Sequence, residues 1–516
     1  MRKFLKMKHQ GFFSKLFSSF TAVLQMLGLG CLLCAAAVSF SDEAQASTVL
    51  NGVNVETLAK IDHQDLQQIL SRHYGQTVSA PLLQRVLDEI TYYCKTHGYP
   101  TSKAFFKEQV MQDGVVNVTV LTPYLEEIRV NNRSGVNVQT RRNLLSEVMS
   151  MQDHAVNTES MESALLRLAD LGTFGVYGRY VQGQRDDGTE LELNLRKKSH
   201  WPLKIFADNH GSKASGEYQM GGVASVPNVS GYADKLTFYA QGSDEKQFDT
   251  GVSYGIPINS HPSVLGMSFG AGSYELAEEY AKLGAKGHSF FGELYWDEPW
   301  LRQREYGLKS KTGARLRYLE DRFDAFDLKF RRRESSAFLE FAGFVKIRDF
   351  LCEGSARVTV GNSDSLDGYA LYPEGAFTLL NAQSTLSYSF GPNVKTSLRS
   401  ELQKASRPLD GALRFSAGGA DKVSAFRSSE ACADEGLFSS LELGLKLTRN
   451  LAVIPHLDGA YLANKGGDSA FIKGLGMRLE GRYSGFFVNA DASTALGQVQ
   501  GEDQARFLLS FGYQAA

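Results

Sequence analysis

RFSAGGADKVSAFRSSEACADEGLFSSLEL, residues Arg414 to Leu443, says more about the fold than any other part of this chain. A glycine-rich segment of low hydropathy, about twenty residues long, lies between two segments in which apolar and polar residues alternate. Alternation with a period of two is typical of strands that have one apolar face. The stretch therefore predicts a long loop between two strands, late in a series of similar strands.

The series of alternating segments runs from about Trp201 to the end of the chain, and helical periodicity does not persist in it. Examples are Gly251 to Ile256, Phe438 to Leu447 and Arg506 to Tyr513. At about twenty residues for each strand and its connection, this region holds about sixteen strands. An even number of antiparallel strands can close into a membrane barrel in which every backbone group is paired. Because the lumen of such a barrel is too wide for side chains to fill, the loop is predicted to plug it.

Composition agrees with a barrel and excludes some other classes. The 516 residues carry a formal net charge of -2, which argues against a nucleic-acid-binding protein. The mean hydropathy of -0.24 is that of a soluble protein, but a membrane barrel averages its lipid-facing and lumen-facing residues to a similar value. Aromatic side chains near Phe290, Trp296, Trp300 and Phe486 would suit the two membrane interfaces. A soluble all-β enzyme is the alternative.

The N-terminus predicts a secretory signal peptide over residues 1–46. A basic region from Arg2 to Lys15 precedes the apolar run Thr21 to Phe40, and Ala44-Gln45-Ala46 is a small-residue cleavage site before Ser47. A single membrane anchor is the alternative, because the apolar run approaches the ~20 residues that span a bilayer. The cleavage site and the lack of a stop-transfer flank favour removal.

Two small α+β repeats are predicted between the signal peptide and the barrel, over residues 50–123 and 124–199. Each has the order strand, helix, helix, strand, strand, as judged from helical spacing and from alternation. The predicted helices are Asp65 to Tyr74, Ala80 to His97, Arg141 to Met149 and Thr158 to Asp170. The first repeat ends with the strand Val115 to Leu121, and the second ends with a hairpin around Asp186-Asp187-Gly188.

No catalytic, cofactor or metal site is predicted, and the chain is interpreted as not being an enzyme. Nucleophile–base and metal-ligand spacings are absent from the sequence. The cluster Asp62, His63 and Asp65 is interpreted as the start of a helix. Beyond the signal peptide, Cys94, Cys352 and Cys432 are too few and too far apart for a disulfide framework. Cys94 is predicted to be a buried core residue, and a Cys352–Cys432 bridge is left open.

Several motifs in order resemble the transporter half of two-partner secretion systems, the haemolysin secretion/activation family of POTRA-containing outer-membrane barrels. The loop pattern of that family is approximately F-x-x-G-G-x-x-x-V-R-G-[YF] followed by a strand with L-E-L. The matching residues here are Phe415, Gly418, Gly419, Val423, Phe426, Gly436 and Leu441-Glu442-Leu443. The first repeat matches through Tyr92-Tyr93, Gly98-Tyr99-Pro100-Thr101-Ser102-Lys103 and Asp113-Gly114-Val115-Val116. The resemblance implies α+β periplasmic POTRA domains followed by an all-β transmembrane barrel, residues 200–516, of about 16 antiparallel strands.

In that family an arginine of the loop binds an aspartate of the wall in a strand of the F-x-D-x-G type. The loop residues that the resemblance places in the lumen are Gly418, Gly419, Val423, Ser424, Phe426, Arg427 and Gly436. The wall position is Asp458, but Ser424 stands where the arginine is expected. Arg427 is then the alternative partner, because an unpaired buried carboxylate is costly. A second alternative is that Asp458 is a hydrated residue of the lumen.

The resemblance also implies that the POTRA domains bind an unfolded client. An open strand edge can accept an extended chain as an additional strand. The region expected to bind it comprises Gly98, Tyr99, Pro100, Val116 and Val118. The alternative is that the two repeats only space the barrel from another component. No plug helix is expected before the first repeat, because few residues separate Ser47 from the strand around Val53.

The sequence thus predicts an outer-membrane translocase with its POTRA domains in the periplasm. Its partners would be a secreted protein and the lipid of the outer membrane, with no nucleic acid. Since no nucleotide site is visible, export is expected to draw on client folding outside the cell. The alternatives are a barrel-assembly factor, a passive porin, which the periplasmic repeats disfavour, and a secreted soluble β protein.

Overall fold

The computed structural model describes residues 48–99, 102–185, 188–198, 201–276, 278–367, 372–427, 431–497 and 505–515. The chain divides into an N-terminal unit that ends at Lys197 and a C-terminal unit whose continuous part begins at Lys198. The predicted signal peptide lies outside the described residues, and so does the prediction that no plug helix precedes the first repeat. No helix in the described ranges is long and apolar enough to cross a membrane.

The first repeat has the predicted order of elements. They are β1 (Gly52–Thr57), α1 (His63–Leu70), α2 (Ala80–Thr96), β2 (Lys103–Phe105) and β3 (Val115–Leu121). Asp62 caps α1 by accepting from the backbone N–H groups of Gln64 and Asp65, which confirms that this acidic cluster starts a helix. Gly98 follows α2 with a φ of +91°, a conformation that favours glycine after a helix.

Cys94 on α2 is fully buried in the core of the first repeat, as predicted. Burial raises the pKa of its thiol to about 11, so at pH 8 the folded protein should hold roughly a hundredfold less thiolate than a free cysteine. We expect Cys94 to resist iodoacetamide at pH 8 in the folded protein and to react readily in denaturant. Peptide mass spectrometry after timed labelling measures this, and equal rates in both conditions would contradict the burial.

The second repeat is similar but divides its first helix. Its elements are β4 (Tyr124–Arg133), α3 (Val138–Leu144), α4 (Ser146–Met149), α5 (Thr158–Asp170), β5 (Phe174–Gln182) and β6 (Gly188–Lys197). The helix predicted over Arg141–Met149 is confirmed except at Leu145, where φ −91° and ψ −2° divide it into α3 and α4. The sheet has the order β4-β6-β5, and that of the first repeat has the order β1-β3-β2.

The C-terminal unit is a closed barrel of sixteen strands, as predicted. They are β7 (Leu203–Asp208), β8 (Gln219–Pro227), β9 (Lys235–Ser243), β10 (Phe248–Pro257), β11 (Val264–Glu275), β12 (Ala285–Arg302), β13 (Tyr306–Phe323), β14 (Leu328–Ile347), β15 (Phe350–Ser365), β16 (Gly375–Ser389), β17 (Val394–Ala405), β20 (Glu435–Lys446), β21 (Leu451–Ala463), β22 (Ser469–Tyr483), β23 (Phe486–Ala495) and β24 (Ala505–Ala515). Two short strands, β18 (Phe415–Ser416) and β19 (Cys432–Ala433), pair within the connection between β17 and β20.

The two faces of the barrel wall follow from alternation. On β21, Leu457 and Tyr461 are exposed, whereas His456, Asp458 and Ala460 are buried. Charged and packed side chains thus face the lumen, and apolar side chains face outward, as a lipid-embedded barrel requires. The aromatic side chains near the predicted interfaces are exposed in the same way, at Phe290, Trp296, Trp300 and Phe486.

The two ends of the barrel differ in the length of their connections. The turns at 303–305, 348–349 and 484–485 are short. In outer-membrane barrels the short turns are periplasmic and the longer loops are extracellular. The connection from β17 to β20, residues 406–434, lies at the opposite end from these turns. It therefore starts from the extracellular mouth.

Candidate functional site

The connection between β17 and β20, which we call the lumen loop, folds tightly on itself. Its tip is closed by hydrogen bonds from the Gly419 N–H to the Phe426 carbonyl, 2.8 Å, and from the Val423 N–H to the Ala417 carbonyl, 3.0 Å. A side chain at Gly418 would place its Cβ 2.1 Å from the backbone oxygen of Arg427. The glycines noted in the sequence are therefore needed for close backbone approach at the tip.

An apolar seam joins the tip to the lumen face of the wall. The buried residues of the seam are Phe415, Ala417, Val423, Ala425, Phe426, Ala431, Ala433, Phe438, Ala460 and Leu462. The last three belong to β20 and β21, and on β21 they share the face that carries His456 and Asp458. The loop therefore lies inside the barrel. The prediction that Gly436 belongs to the loop is wrong, because it is the second residue of β20 and lies against the Phe415 ring.

Polar contacts hold the tip at several points of the wall. Lys422 Nζ lies 3.0 Å from a carboxylate oxygen of Glu401 on β17. Arg427 Nη1 lies 3.0 Å from a carboxylate oxygen of Glu217, in the connection after β7. Arg506 on β24 donates to the Phe426 carbonyl at 2.5 Å. These contacts come from widely separated strands. The tip is therefore held by several weak contacts instead of one strong ion pair.

Asp458 is paired, but with a residue that sequence reasoning missed. Its Oδ2 lies 3.0 Å from Nδ1 of His456, and Nε2 of the same imidazole lies 3.0 Å from Oδ2 of Asp491. The side chains of His456 and Asp458 are 3% and 4% exposed. The imidazole lies over Gly476 of the intervening strand, where an added Cβ would approach it to 2.5 Å. One histidine therefore bridges two carboxylates beneath the loop tip.

Two expectations about Asp458 are thereby corrected. Ser424 does not pair with it, as expected, because the Ser424 hydroxyl is buried and has no hydrogen-bond partner among the described residues. Arg427 pairs with Glu217 instead. Asp458 is also not an open hydrated residue, because it is buried against His456. The signal in the sequence was the spacing, since residues i and i+2 of a strand share one face.

The residues expected to bind a client in the first repeat are mostly internal. Val116 and Val118 are 3% and 0% exposed, and β3 lies between β1 and β2 and is not an edge strand. Tyr99 is buried, and its hydroxyl accepts from the Lys60 N–H at 2.8 Å. Gly98 accepts from the Thr158 N–H of the second repeat at 3.1 Å, while Pro100 lies outside the described residues. Val116 and Val118, which were predicted to belong to the client-binding region, are therefore core residues of a central strand and not part of an exposed surface.

On its β2 side, however, β3 has no partner strand over its first half. β2 has three residues and pairs only with residues 119–121. At Asn117 a side chain takes the place of a strand: Gln109 Oε1 accepts from the Asn117 N–H at 2.8 Å, and Gln109 Nε2 donates to the Asn117 carbonyl at 2.6 Å. Since both backbone groups of a strand residue point to the same side, they face away from β1. An extended chain could replace the Gln109 amide there.

A charged and aromatic stripe covers the lumen face of β12–β15, away from the loop tip. Its residues are Glu293, Tyr295, Lys311, Arg315, Phe338, Glu340 and Arg357. Lys311 Nζ lies 3.9 Å from the centroid of the Tyr295 ring, and the Arg357 guanidinium lies 4.5 Å from that of Phe338. The cations stack on single aromatic rings and lie beside carboxylates, so the stripe does not present an extended apolar surface.

Metal and disulfide chemistry finds no support in this part of the molecule. Within the described ranges, no group of three or more His, Cys, Asp or Glu side chains could hold a metal ion. In the same ranges Cys352 and Cys432 form no disulfide, so the bridge left open by the sequence is not formed.

Known proteins resemble this chain over most of its length. The model of the family described as haemolysin secretion/activation protein ShlB/FhaC/HecB matches residues 187–468. The model described as POTRA domain, ShlB-type, matches residues 48–122. The heme/hemopexin transporter protein HuxB of Haemophilus influenzae is 21% identical over 381 residues, which cover 72% of this chain and 67% of that one. The outer membrane transporter CdiB of Escherichia coli is 27% identical over 217 residues, 40% of this chain and 35% of that one.

Solved structures share the fold. The structure of CdiB from Escherichia coli aligns with a TM-score of 0.78 at 18% identity, covering 97% of this chain and 98% of that one. A structure of BamA from Haemophilus ducreyi lacking POTRA domains 1–3 aligns with a TM-score of 0.52 at 13% identity, covering 90% and 99%. The whole architecture, repeats and barrel together, is thus shared with the first of these.

Proposed function

Because the chain belongs to the haemolysin secretion/activation protein ShlB/FhaC/HecB family, we propose that it captures an unfolded secreted protein at the β3 edge of its first POTRA domain and passes it through the barrel when the lumen loop moves aside. The chain is an outer-membrane transporter of a secreted partner protein. The observation that carries the proposal is a sixteen-stranded barrel whose lumen is occupied by its own loop.

A movable plug needs contacts that are numerous but individually weak. The ion pairs Lys422–Glu401 and Arg427–Glu217 involve partly exposed carboxylates, and such pairs contribute roughly 0–1 kcal/mol each. The seam beneath the tip contains small side chains such as Ala425 and Ala460, which bury little area. These features support a loop that is well placed at rest and that can leave without unfolding the barrel.

The stripe on β12–β15 would then line the path of the client. An extended polypeptide presents backbone amides and varied side chains, so its conduit must bind no residue type strongly. Cations that already have ring and carboxylate partners, such as Lys311 and Arg357, offer transient contacts of this kind. A barrel-assembly factor remains the alternative for this architecture, and the experiment below separates the two.

Deleting the gene in the bacterium that encodes this chain, and comparing the proteins in the culture medium by mass spectrometry, tests the function. We expect one protein, or very few, to disappear from the medium and to return when the gene is restored. If many integral barrel proteins were lost from the outer membrane while the proteins in the medium were unchanged, the result would instead indicate a barrel-assembly factor.

The capture site predicts the effect of Asn117→Pro in the restored gene. Proline removes the N–H that faces the open edge and that β1 does not use, so a client strand could no longer pair there. We expect secretion to fall several-fold while the amount of folded barrel is unchanged. Asn117→Thr, which keeps the N–H, is the matched control and should secrete normally; equal secretion by both variants would refute this capture site.

A further inference from the structure

The stem of the lumen loop contains a buried carboxylate that the tip contacts do not explain. Asp410, between β17 and β18, caps a short turn by accepting from the Ala412 N–H at 2.9 Å. Its other oxygen lies 2.5 Å from Nε of Arg332, which projects from β14. The side chains of Asp410 and Arg332 are 3% and 8% exposed. The loop stem is therefore tied to the wall by a buried ion pair.

Arg332 also has partners on the wall itself. Its Nη1 lies 2.6 Å from Oδ2 of Asp321 on β13. Asp321 accepts hydrogen bonds from the hydroxyls of Tyr274 on β11, 2.6 Å, and Tyr372 in the β15–β16 connection, 2.7 Å. The guanidinium lies 3.8 Å from the centroid of the Tyr372 ring. These five residues, Tyr274, Asp321, Arg332, Tyr372 and Asp410, form what we call the stem cluster.

The stem cluster and the Arg506 contact of the tip lie on opposite sides of the lumen. Arg332 belongs to β14, and Arg506, which binds the Phe426 carbonyl, belongs to β24. In the closed ring β24 is the eighth strand from β14 in either direction. The lumen loop is thus fastened at two diametrically opposed strands and spans the mouth between them.

We propose that the Asp410–Arg332 pair is the latch of the lumen loop, because it ties the stem of the loop to the wall. Release is asymmetric. When Asp410 leaves, Arg332 keeps its contacts with Asp321 and Tyr372. Breaking a buried ion pair is expensive when it leaves a buried charge without a partner, and here the cation is not left alone. An open pocket of about 390 Å³, lined in part by Tyr274, Asp321 and Arg332, borders the latch. The latch rests on the proposed function, because a fastened loop matters only in a translocating barrel.

Single-channel recording in planar bilayers of the full chain tests the latch through Asp410→Asn. The amide keeps the cap on Ala412 but loses the charge that binds Arg332. Since a hydrogen bond to a charged group contributes more than a neutral one, we expect the ratio of open to closed time to rise roughly tenfold or more. The matched control is Glu334→Gln, which alters a buried carboxylate on the same face of β14 as Arg332, but one that pairs with Arg317 at 3.2 Å within the wall instead of with the loop. It should gate like the wild type.

Two further samples keep the test decisive. Arg332→Lys retains a charge but cannot reach Asp321 and Asp410 together as a guanidinium does, and should give a smaller increase in open time. A variant with residues 417–431 replaced is the open reference. If the reference conducts and Asp410→Asn and Arg332→Lys both gate like Glu334→Gln, the latch is wrong. If the reference does not conduct at all, the translocation pore itself is wrong, and the latch falls with it.

Discussion

Replacing residues 417–431 by a short Gly-Ser turn is expected to convert small, flickering currents into a large and steady conductance. The removed residues include the tip and its contacts with Glu401, Glu217 and Arg506. The barrel should survive, because β18 and β19 already pair antiparallel at Ser416 and Cys432 and hold the two ends of the cut together. The range stops before Gly436, since that residue belongs to the wall.

The measurement is single-channel current in planar bilayers, with folding checked by the heat-dependent mobility of the barrel on gels. The control replaces Ala325 and Phe326, in the β13–β14 connection at the same end of the barrel, by Gly-Ser. Phe326 is exposed, so this change should leave the current at the wild-type level. A wild-type current from the loop variant would mean that the lumen loop does not occlude the pore.

His456→Leu is expected to cost the folded barrel about 3–5 kcal/mol, the penalty for breaking a buried ion pair from one side. Leucine has a similar bulk, so the loss comes from Asp458 and Asp491, which would face each other without a cation between them. Unfolding by urea in detergent, followed by tryptophan fluorescence, measures the change. His288→Leu, at an exposed histidine of the wall, should shift stability by less than about 0.5 kcal/mol.

A triple variant separates charge from packing at this site. His456→Leu combined with Asp458→Asn and Asp491→Asn removes both carboxylates together with their cation. Because removing a whole buried charge group is often nearly neutral, most of the lost stability should return. If the triple variant were as unstable as the single one, the imidazole would act through packing over Gly476 and not through its charge.

Local periodicity was enough to predict the repeats and the barrel. The sixteen strands follow from alternation and chain length, and the helix start at Asp62 follows from capping chemistry. The error at Val116 and Val118 came from sheet order, since the sequence does not say that β3 lies between β1 and β2.

The sequence could not predict which side chains pair across the barrel, and the reason is physical. His456 reaches Asp491 over an intervening strand, and Arg332 reaches Asp410 78 positions away. Which side chains meet there depends on strand register and on where the loop re-enters the lumen. Only the His456–Asp458 spacing carried a local signal, because both residues lie on one face of β21.

The Gln109 amide on the edge of β3 also bears on solubility. Unpaired strand edges of neighbouring molecules tend to join and aggregate, and here the N–H and carbonyl of Asn117 are already satisfied from within. An incoming strand exchanges two hydrogen bonds for two others, so it gains little from the backbone at this position. Attachment of the proposed client would therefore be weak and quickly reversed. A cargo held in this way can be handed onward without an energy source to pull it free.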